Sequence, residues 1–142
     1  MHQNQIDMSN KNLHKDSGVI QIEKAAINQL KELFIEESQT IVHCSYVSKR
    51  KYINGGWVNI YPTTYLVHQN EEIPLLHAEN IPLAPLVHTF RKPGELKRFS
   101  LIFPAIPKDW KTFSLIEKCP SSDGFEVNNI PRNNSGVYEI SI

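Results

Sequence analysis

The sequence has few of the residues and runs that several protein classes require. Only two of its 142 residues are cysteine, too few for the disulfide framework of a small secreted scaffold. No stretch approaches the run of about 18 apolar residues that a transmembrane helix needs, so we predict no transmembrane segment. Its 15 Lys and Arg balance its 15 Asp and Glu. A protein that binds nucleic acid through the phosphates is usually basic, so we expect no nucleic-acid partner.

Motifs for catalysis and cofactor binding are also missing. The sequence contains no glycine-rich phosphate-binding loop, no Gly-x-Ser-x-Gly nucleophile elbow and no Cys-x-x-Cys pair. Cys44 lies next to His43, but neighbouring residues of a strand point to opposite faces, so His43 cannot act as the base for that thiol. We therefore predict that the protein is not an enzyme and has no catalytic residue and no cofactor.

Histidines are present, but not at metal-binding spacings. Four of the six fall in predicted strands: His43, His68, His77 and His88. No two of them have the close spacing, such as His-x-His or His-x-x-x-His, that places two ligands on one metal ion. We therefore expect solvated or singly hydrogen-bonded histidines and no metal site.

The dominant pattern from residue 40 onward is an alternation of apolar and polar residues, the period of half-buried strands. Nine prolines and several Asn- and Gly-bearing turns interrupt it. The turn signals recur at intervals of about 8 to 12 residues, which is typical of an all-β sandwich. We predict an all-β, antiparallel β-sandwich of about seven to nine strands. Its core is predicted from the inward faces of the strands: Val42, Tyr46, Phe99, Leu101, Phe103, Phe113 and Leu115.

The amino-terminal part of the chain differs from the rest. Residues 1–17 are polar, with isolated apolar residues, and we predict a flexible, disordered tail followed by a single domain over residues 18–142. The segment from Lys24 to Glu37 has helical spacing, yet its last apolar residues fit a strand equally well, so both remain open. The tail lacks the apolar core of a signal peptide. We expect a cytoplasmic protein if Met1 is the natural start, and a periplasmic or secreted one if an export signal was trimmed.

Four pieces of the chain carry a resemblance to a known family: residues 40–43, 56–60, 74–83 and 99–108. With the strand-like segment 113–117 that follows them, they resemble the small immunoglobulin-like domains of envelope proteins of Gram-negative bacteria. Such domains often precede a thioredoxin-like domain. The resemblance implies an immunoglobulin-like fold, an envelope location and an accessory role, and it brings no catalytic residues. The chain departs from the family in its helix-prone segment from Lys24 to Glu37.

The two cysteines leave one question of covalent structure open. A bond between Cys44 and Cys119 would resemble the inter-sheet disulfide of antibody domains, since both residues fall in plausible strand positions. Cys119 also precedes Pro120 near a strand end, a position that favours a free thiol. Both states therefore remain possible at this stage.

One constellation has the character of a binding surface. Trp57, Asn59 and Tyr61 share one face of a predicted strand, and Val58 and Ile60 share the other. If the aliphatic pair faces the core, the aromatic strip is exposed and suited to stacking on a sugar ring or on the apolar surface of a partner. The alternative is that Trp57 is the buried core tryptophan of an immunoglobulin-like strand.

Three functional hypotheses follow, of which the last, a metal- or thiol-dependent enzyme, would need the histidines or Cys44 to converge in an open pocket. The first is a non-enzymatic accessory or protein-interaction module of a bacterial envelope or secreted protein, with a protein partner or a neighbouring domain as its target. The alternative is a carbohydrate-binding module that uses Trp57, Asn59 and Tyr61 as its binding residues. The adjoining loop carries Lys49, Arg50 and Lys51, which are suited to an anionic surface or are simply solvated.

Overall fold

The computed structural model of the protein describes residues 24, 26–27, 38–121 and 123–142. Ten strands lie in this part of the chain: β1 (Thr40–Val47), β2 (Trp57–Val58), β3 (Thr64–His68), β4 (Glu71–Pro74), β5 (His77–Glu79), β6 (His88–Thr89), β7 (Leu96–Phe103), β8 (Thr112–Glu117), β9 (Glu126–Pro131) and β10 (Val137–Ser141). The described part of the protein is therefore almost entirely β, as the alternation of apolar and polar residues predicts.

Eight of these strands form two four-stranded sheets, in the orders β10-β1-β7-β5 and β4-β3-β8-β9. This order is that of an immunoglobulin-like sandwich, with β1, β7 and β5 as strands B, E and D, and β4, β3, β8 and β9 as strands C′, C, F and G. β10 occupies the place of strand A and runs parallel to β1, whereas all other pairs within the two sheets are antiparallel. β10 follows β9, which lies in the other sheet, so no hairpin connects β10 to β1. Only a hairpin connection requires two neighbouring strands to be antiparallel.

The inward faces of the two sheets meet in one apolar core. Val42 of β1 and Leu101 of β7 are fully buried in the first sheet, and Leu66 of β3 and Leu115 of β8 are fully buried in the second. The rings of Phe113 and Tyr138 meet edge to face across the sandwich, with centroids 5.0 Å apart. This packing of one sheet on the other is the layer arrangement expected of a β-sandwich.

Six of the seven predicted core residues are buried, and the exception is Tyr46. Tyr46 is only partly buried because it lies near the end of β1, where its ring packs against the edge of the core and 5.9 Å from the ring of Phe90. The period of two therefore predicts the face of each side chain correctly. It does not predict how far along a strand the opposite sheet extends.

The core tryptophan is Trp110 and not Trp57. The alternative interpretation, in which Trp57 is the buried tryptophan of an immunoglobulin-like strand, is therefore wrong. Trp110 lies between β7 and β8, is completely buried, and stacks on the ring of His68 at 5.2 Å. Trp57 is 58% exposed, because β2 pairs with β6 in a short two-stranded ribbon outside the two main sheets. Its neighbour Val58 is the residue of β2 that packs on the core.

The remaining predictions concern the amino-terminal region and the cysteines. Lys24, Ala26 and Ile27 are helical, whereas the predicted tail over residues 1–17, the boundary at residue 18 and the rest of the ambiguous segment lie outside the described residues. Residues 38–142 form one compact unit. Cys44 and Cys119 are both free thiols, which decides the question that the sequence left open. No helix in the described ranges is long and apolar enough to cross a membrane.

Candidate functional site

The exposed face of the β2–β6 ribbon is the centre of the candidate site. In this antiparallel pair Trp57 lies opposite Thr89, and Val58 lies opposite His88. Opposed residues share a face, so Trp57 and Thr89 point to one side while Val58 and His88 point to the other. Val58 packs on the core, so the Trp57 side of the ribbon is the outer one.

Large apolar side chains are exposed on this ribbon and on the two loops beside it. We call these five residues the ribbon patch: Tyr52, Ile53, Trp57, Leu86 and Val87. Ile53 is 92% exposed and Leu86 is 69% exposed. Single exposed apolar residues are ordinary on a protein surface, but a group of this kind marks an interaction site.

The loop before β2 is held in place by the loop after β6. Ser48 is buried, and its hydroxyl donates to the carbonyl of Lys92 at 2.9 Å and accepts from the amide of Glu95 at 2.9 Å. Gly55 has a φ of 82°, and a Cβ at this position would lie 2.4 Å from the Lys92 carbonyl oxygen. Only glycine allows both that conformation and that approach. The backbone that carries Tyr52 and Ile53 is therefore ordered by specific contacts.

Asn59 holds the loop that precedes β6 in place through a hydrogen bond. Its side-chain amide donates to the carbonyl of Leu86 at 2.8 Å, and the amide of Leu86 donates to the carbonyl of Leu83 at 3.0 Å. Ile60, the next residue, is buried and forms an isolated parallel bridge with Leu83. Asn59 thus positions the loop that exposes Leu86.

The structure places the three residues of the predicted strip in different environments. Trp57 is exposed, the Asn59 amide is engaged with Leu86, and Tyr61 is partly buried beyond the end of the ribbon. The amide of Tyr61 donates to a carboxylate oxygen of Glu117 at 2.8 Å. β2 ends at Val58, so the regular alternation assumed for the strip stops within it.

Basic side chains flank the residues of the ribbon patch along the chain. We call this group the basic collar: Lys49, Arg50, Lys51, Arg91 and Lys92, all exposed. The Nζ of Lys51 lies 5.1 Å from the centre of the Tyr52 ring, which is a cation–π contact. Glu95 is the only acidic residue in segments 48–59 and 83–95, and its carboxylate accepts from the amides of Arg91 and Lys92. These two segments therefore carry a net positive charge, although the whole chain is neutral.

A second concave surface lies on the outer face of the first sheet, and sequence reasoning missed it. It is a trough of about 580 Å³. Strand register aligns four of its side chains in one row across β10, β1, β7 and β5: Glu139, His43, Ser100 and Glu79. The Nδ1 of His43 and the Oγ of Ser100 are hydrogen-bonded at 2.7 Å. The alternation in β1 already placed His43 outside, but its partner 57 residues away depends on the register between strands.

Ser100 and His43 together have the residue types of a nucleophile and a base, and Glu139 lies next to His43 in the same row. Acyl transfer also needs hydrogen-bond donors directed at the developing oxyanion. Ser100 lies in β7, which has β1 on one side and β5 on the other, so the backbone amides around it are used within the sheet. The arrangement is suited to hydrogen bonding with a small polar molecule.

The other nucleophile considered from the sequence, Cys44, faces the core. It is buried in β1, and burial raises the pKa of its thiol to about 12. The thiolate is the reactive form of cysteine, so Cys44 is inert at neutral pH. In the described part of the chain, no group of three or more His, Cys, Asp or Glu residues could hold a metal ion.

Comparison with known proteins identified no relative of this chain. No protein-family model matches the chain, and neither a curated protein nor a solved structure matches it. The functional argument therefore depends on the geometry of the ribbon patch, the basic collar and the trough.

Proposed function

We propose that this protein is a non-enzymatic accessory module of a bacterial envelope or secreted protein and that it acts by binding through its ribbon patch. One observation carries the proposal: Ile53, Trp57 and Leu86 are exposed to solvent on an ordered backbone that the basic collar flanks along the chain. The immunoglobulin-like order of the strands supports the accessory role, because the family that the sequence resembles has the same fold.

The energetic argument starts from the cost of exposing large apolar side chains. Fully burying one such side chain gains roughly 1.5 to 3 kcal/mol, and Ile53 gains almost nothing of this in the isolated chain. Trp and Tyr are the residues that most often dominate binding energy at interfaces. Because Ser48 and Gly55 fix the loop, little conformational entropy is lost when it binds.

Two features support binding rather than catalysis. The pKa of Cys44, raised to about 12 by burial, leaves its thiol protonated. Ser100 lies on a regular strand flanked by two others, so the backbone amides around it are used within the sheet and do not form an oxyanion hole. The trough that contains Ser100 and His43 is therefore assigned to binding as well.

Carbohydrate binding is the second candidate, and the exposure of Trp57 favours it. An exposed indole is suited to stacking on a sugar ring. The other two members of the strip contribute less, because the Asn59 amide is bonded to Leu86 and Tyr61 is partly buried. Macromolecular surface binding is the stronger proposal, since it also uses Ile53 and Leu86.

The test of the proposed function is co-sedimentation of the purified chain with the envelope fraction of a Gram-negative bacterium. We expect the wild type to sediment and the double variant Ile53→Ser, Trp57→Ser to stay in solution. Leu76→Ser is the matched control, because Leu76 is 56% exposed but lies between β4 and β5. Equal sedimentation of the wild type and the double variant would contradict the proposal. Competition by soluble cell-wall polysaccharide alone would favour the carbohydrate alternative.

A further inference from the structure

We infer that the ribbon patch docks on an anionic lipid bilayer. The inference rests on the proposed function, which makes this patch the binding surface, and it names the surface that the patch recognises. It depends on three properties of the patch: the protrusion of its apolar side chains, its aromatic content, and the position of the basic collar beside it along the chain.

The apolar side chains protrude. Ile53 lies at the centre of a tight turn in which the amide of Gly55 donates to the carbonyl of Tyr52 at 3.0 Å. It is 92% exposed, so the protein's own surface scarcely supports it. A protruding side chain gains from a protein partner only where a matching pocket exists. A fluid bilayer accepts it without shape complementarity, so the geometry favours lipid.

The aromatic residues of the patch are of the types that prefer the membrane–water interface. Trp57 and Tyr52 are both exposed; Tyr52 directly precedes the protruding Ile53 in the sequence, and Trp57 follows it by four residues. Trp and Tyr side chains are enriched at headgroup depth because each combines an apolar ring with a polar group. The patch therefore offers three aliphatic side chains, of which Ile53 is the most exposed, and two aromatic side chains for the interface.

The basic collar is placed where lipid headgroups would lie. Lys49, Arg50 and Lys51 directly precede the apolar turn, and Arg91 and Lys92 directly follow the ribbon. Long basic side chains keep their charges in the headgroup region while their methylene stems cover apolar surface. Since the chain as a whole has no net charge, attraction to an anionic leaflet acts at these segments and orients the protein.

The experiment uses the full-length chain and two kinds of vesicle, phosphatidylcholine alone and phosphatidylcholine mixed with phosphatidylglycerol. We expect the wild type to float with the anionic vesicles and to dissociate as salt is added. Trp57 emission should shift to the blue and lose accessibility to acrylamide on binding. Trp110 is fully buried, so its emission stays constant, and Trp57→Phe should abolish the shift.

Two variants separate the apolar and the electrostatic contributions. Ile53→Ser should weaken binding about tenfold. The triple change Lys49→Gln, Arg50→Gln, Lys51→Gln should weaken binding roughly 100-fold at low salt, about fivefold for each charge. The matched controls, Leu76→Ser and Lys111→Gln, remove an exposed apolar and an exposed basic residue elsewhere and should bind like the wild type.

Several outcomes overturn the inference. Equal binding to neutral and anionic vesicles, or binding that salt does not weaken, would contradict the role of the basic collar. Both measurements use the wild-type protein, so they do not depend on whether a variant folds. Failure to bind either vesicle would contradict the inference outright. If the Ile53→Ser, Trp57→Ser protein still loses binding to the envelope fraction, the proposed function stands and the patch recognises a protein. If that variant binds the envelope fraction normally, the proposed function fails too.

Discussion

At the residue scale, the two cysteines show how the environment sets the reactivity of a side chain. Cys44 faces the core from β1, and burial raises the pKa of its thiol to about 12. Cys119 lies just beyond the end of β8 and is only partly buried. Both are free thiols, but solvent reaches only one of them readily.

We predict that iodoacetamide labels Cys119 and spares Cys44 in the native protein at mildly alkaline pH. The thiolate is the nucleophile, and Cys44 is both inaccessible and protonated. Mass spectrometry of the intact chain should show one added label. Cys119→Ser should remove it, whereas Cys44→Ser should keep it. Labelling of both thiols at equal rates would place Cys44 outside the core.

Glu117 is a partly buried carboxyl group at the end of β8. Its two oxygens accept from the amides of Tyr61 at 2.8 Å and Phe125 at 3.4 Å. Burial raises the pKa of Glu117 above its ordinary value of 4.5, and the two backbone hydrogen bonds lower the pKa to a lesser extent. The folded protein therefore holds this proton more tightly than the unfolded chain does.

The consequence is a loss of stability as the carboxyl group ionises. The contribution of Glu117 is fully present below about pH 4.5 and is lost as the pH rises through its raised pKa. We predict that the free energy of unfolding of the wild type falls over this window relative to Glu117→Gln, which cannot ionise. Urea denaturation at a series of pH values measures the difference. Glu126→Gln, on the exposed side of β9, is the control, and an equal effect there would exclude burial as the cause.

At the scale of elements, β7 is the strand on which the first sheet is built. It pairs with β1 along its whole length and with β5 over its second half. Phe99, Leu101 and Phe103 point from it into the core, whereas Ser100 and Ile102 point outward. One strand therefore supplies part of the core and part of the trough.

We predict that Leu101→Ala lowers the free energy of unfolding by about 2 to 5 kcal/mol. Leu101 is completely buried between two sheets, so its removal leaves a cavity as well as lost apolar contact. Ile102→Ala, the neighbour on the outer face, should cost only about 1 kcal/mol. Chemical denaturation gives both values. Equal losses, or a loss below about 1 kcal/mol for Leu101→Ala, would mean that the assignment of faces is wrong.

At the scale of the whole molecule, the polar trough and the apolar ribbon patch lie on different strands of the protein. The trough belongs to the outer face of the first sheet, whereas the ribbon patch belongs to the small β2–β6 ribbon and its loops.

We predict that the purified protein has no turnover on ester, glycoside, phosphate or disulfide substrates. Cys44 is protonated and buried, and the backbone amides around Ser100 are used within the sheet. Rates with each substrate should equal those of buffer. Turnover that disappears in Ser100→Ala or His43→Ala, while persisting in Ser114→Ala, would show that the trough is an active site.

The sequence by itself determined which face of the long strands β1, β7 and β8 is buried. Phe99, Leu101 and Phe103 alternate with Arg98, Ser100 and Ile102. The geometry of a strand places successive side chains on opposite faces. The fold class followed from the same alternation and from the spacing of turns, because both are local properties of the chain. The exposed character of the segment from Lys49 to Gly56 was also readable from its charges and glycines.

Only the tertiary structure decided which strands are neighbours and which aromatic residue fills the core. Trp57 and Trp110 are equally apolar in the sequence, but the first lies on a peripheral ribbon and the second lies under His68. Likewise, the bond between His43 and Ser100 requires β1 and β7 to pair in one particular register. Alternation specifies a face but not a partner. The partner depends on long-range packing, in which a pairing is favoured only when both sheets close over the same core.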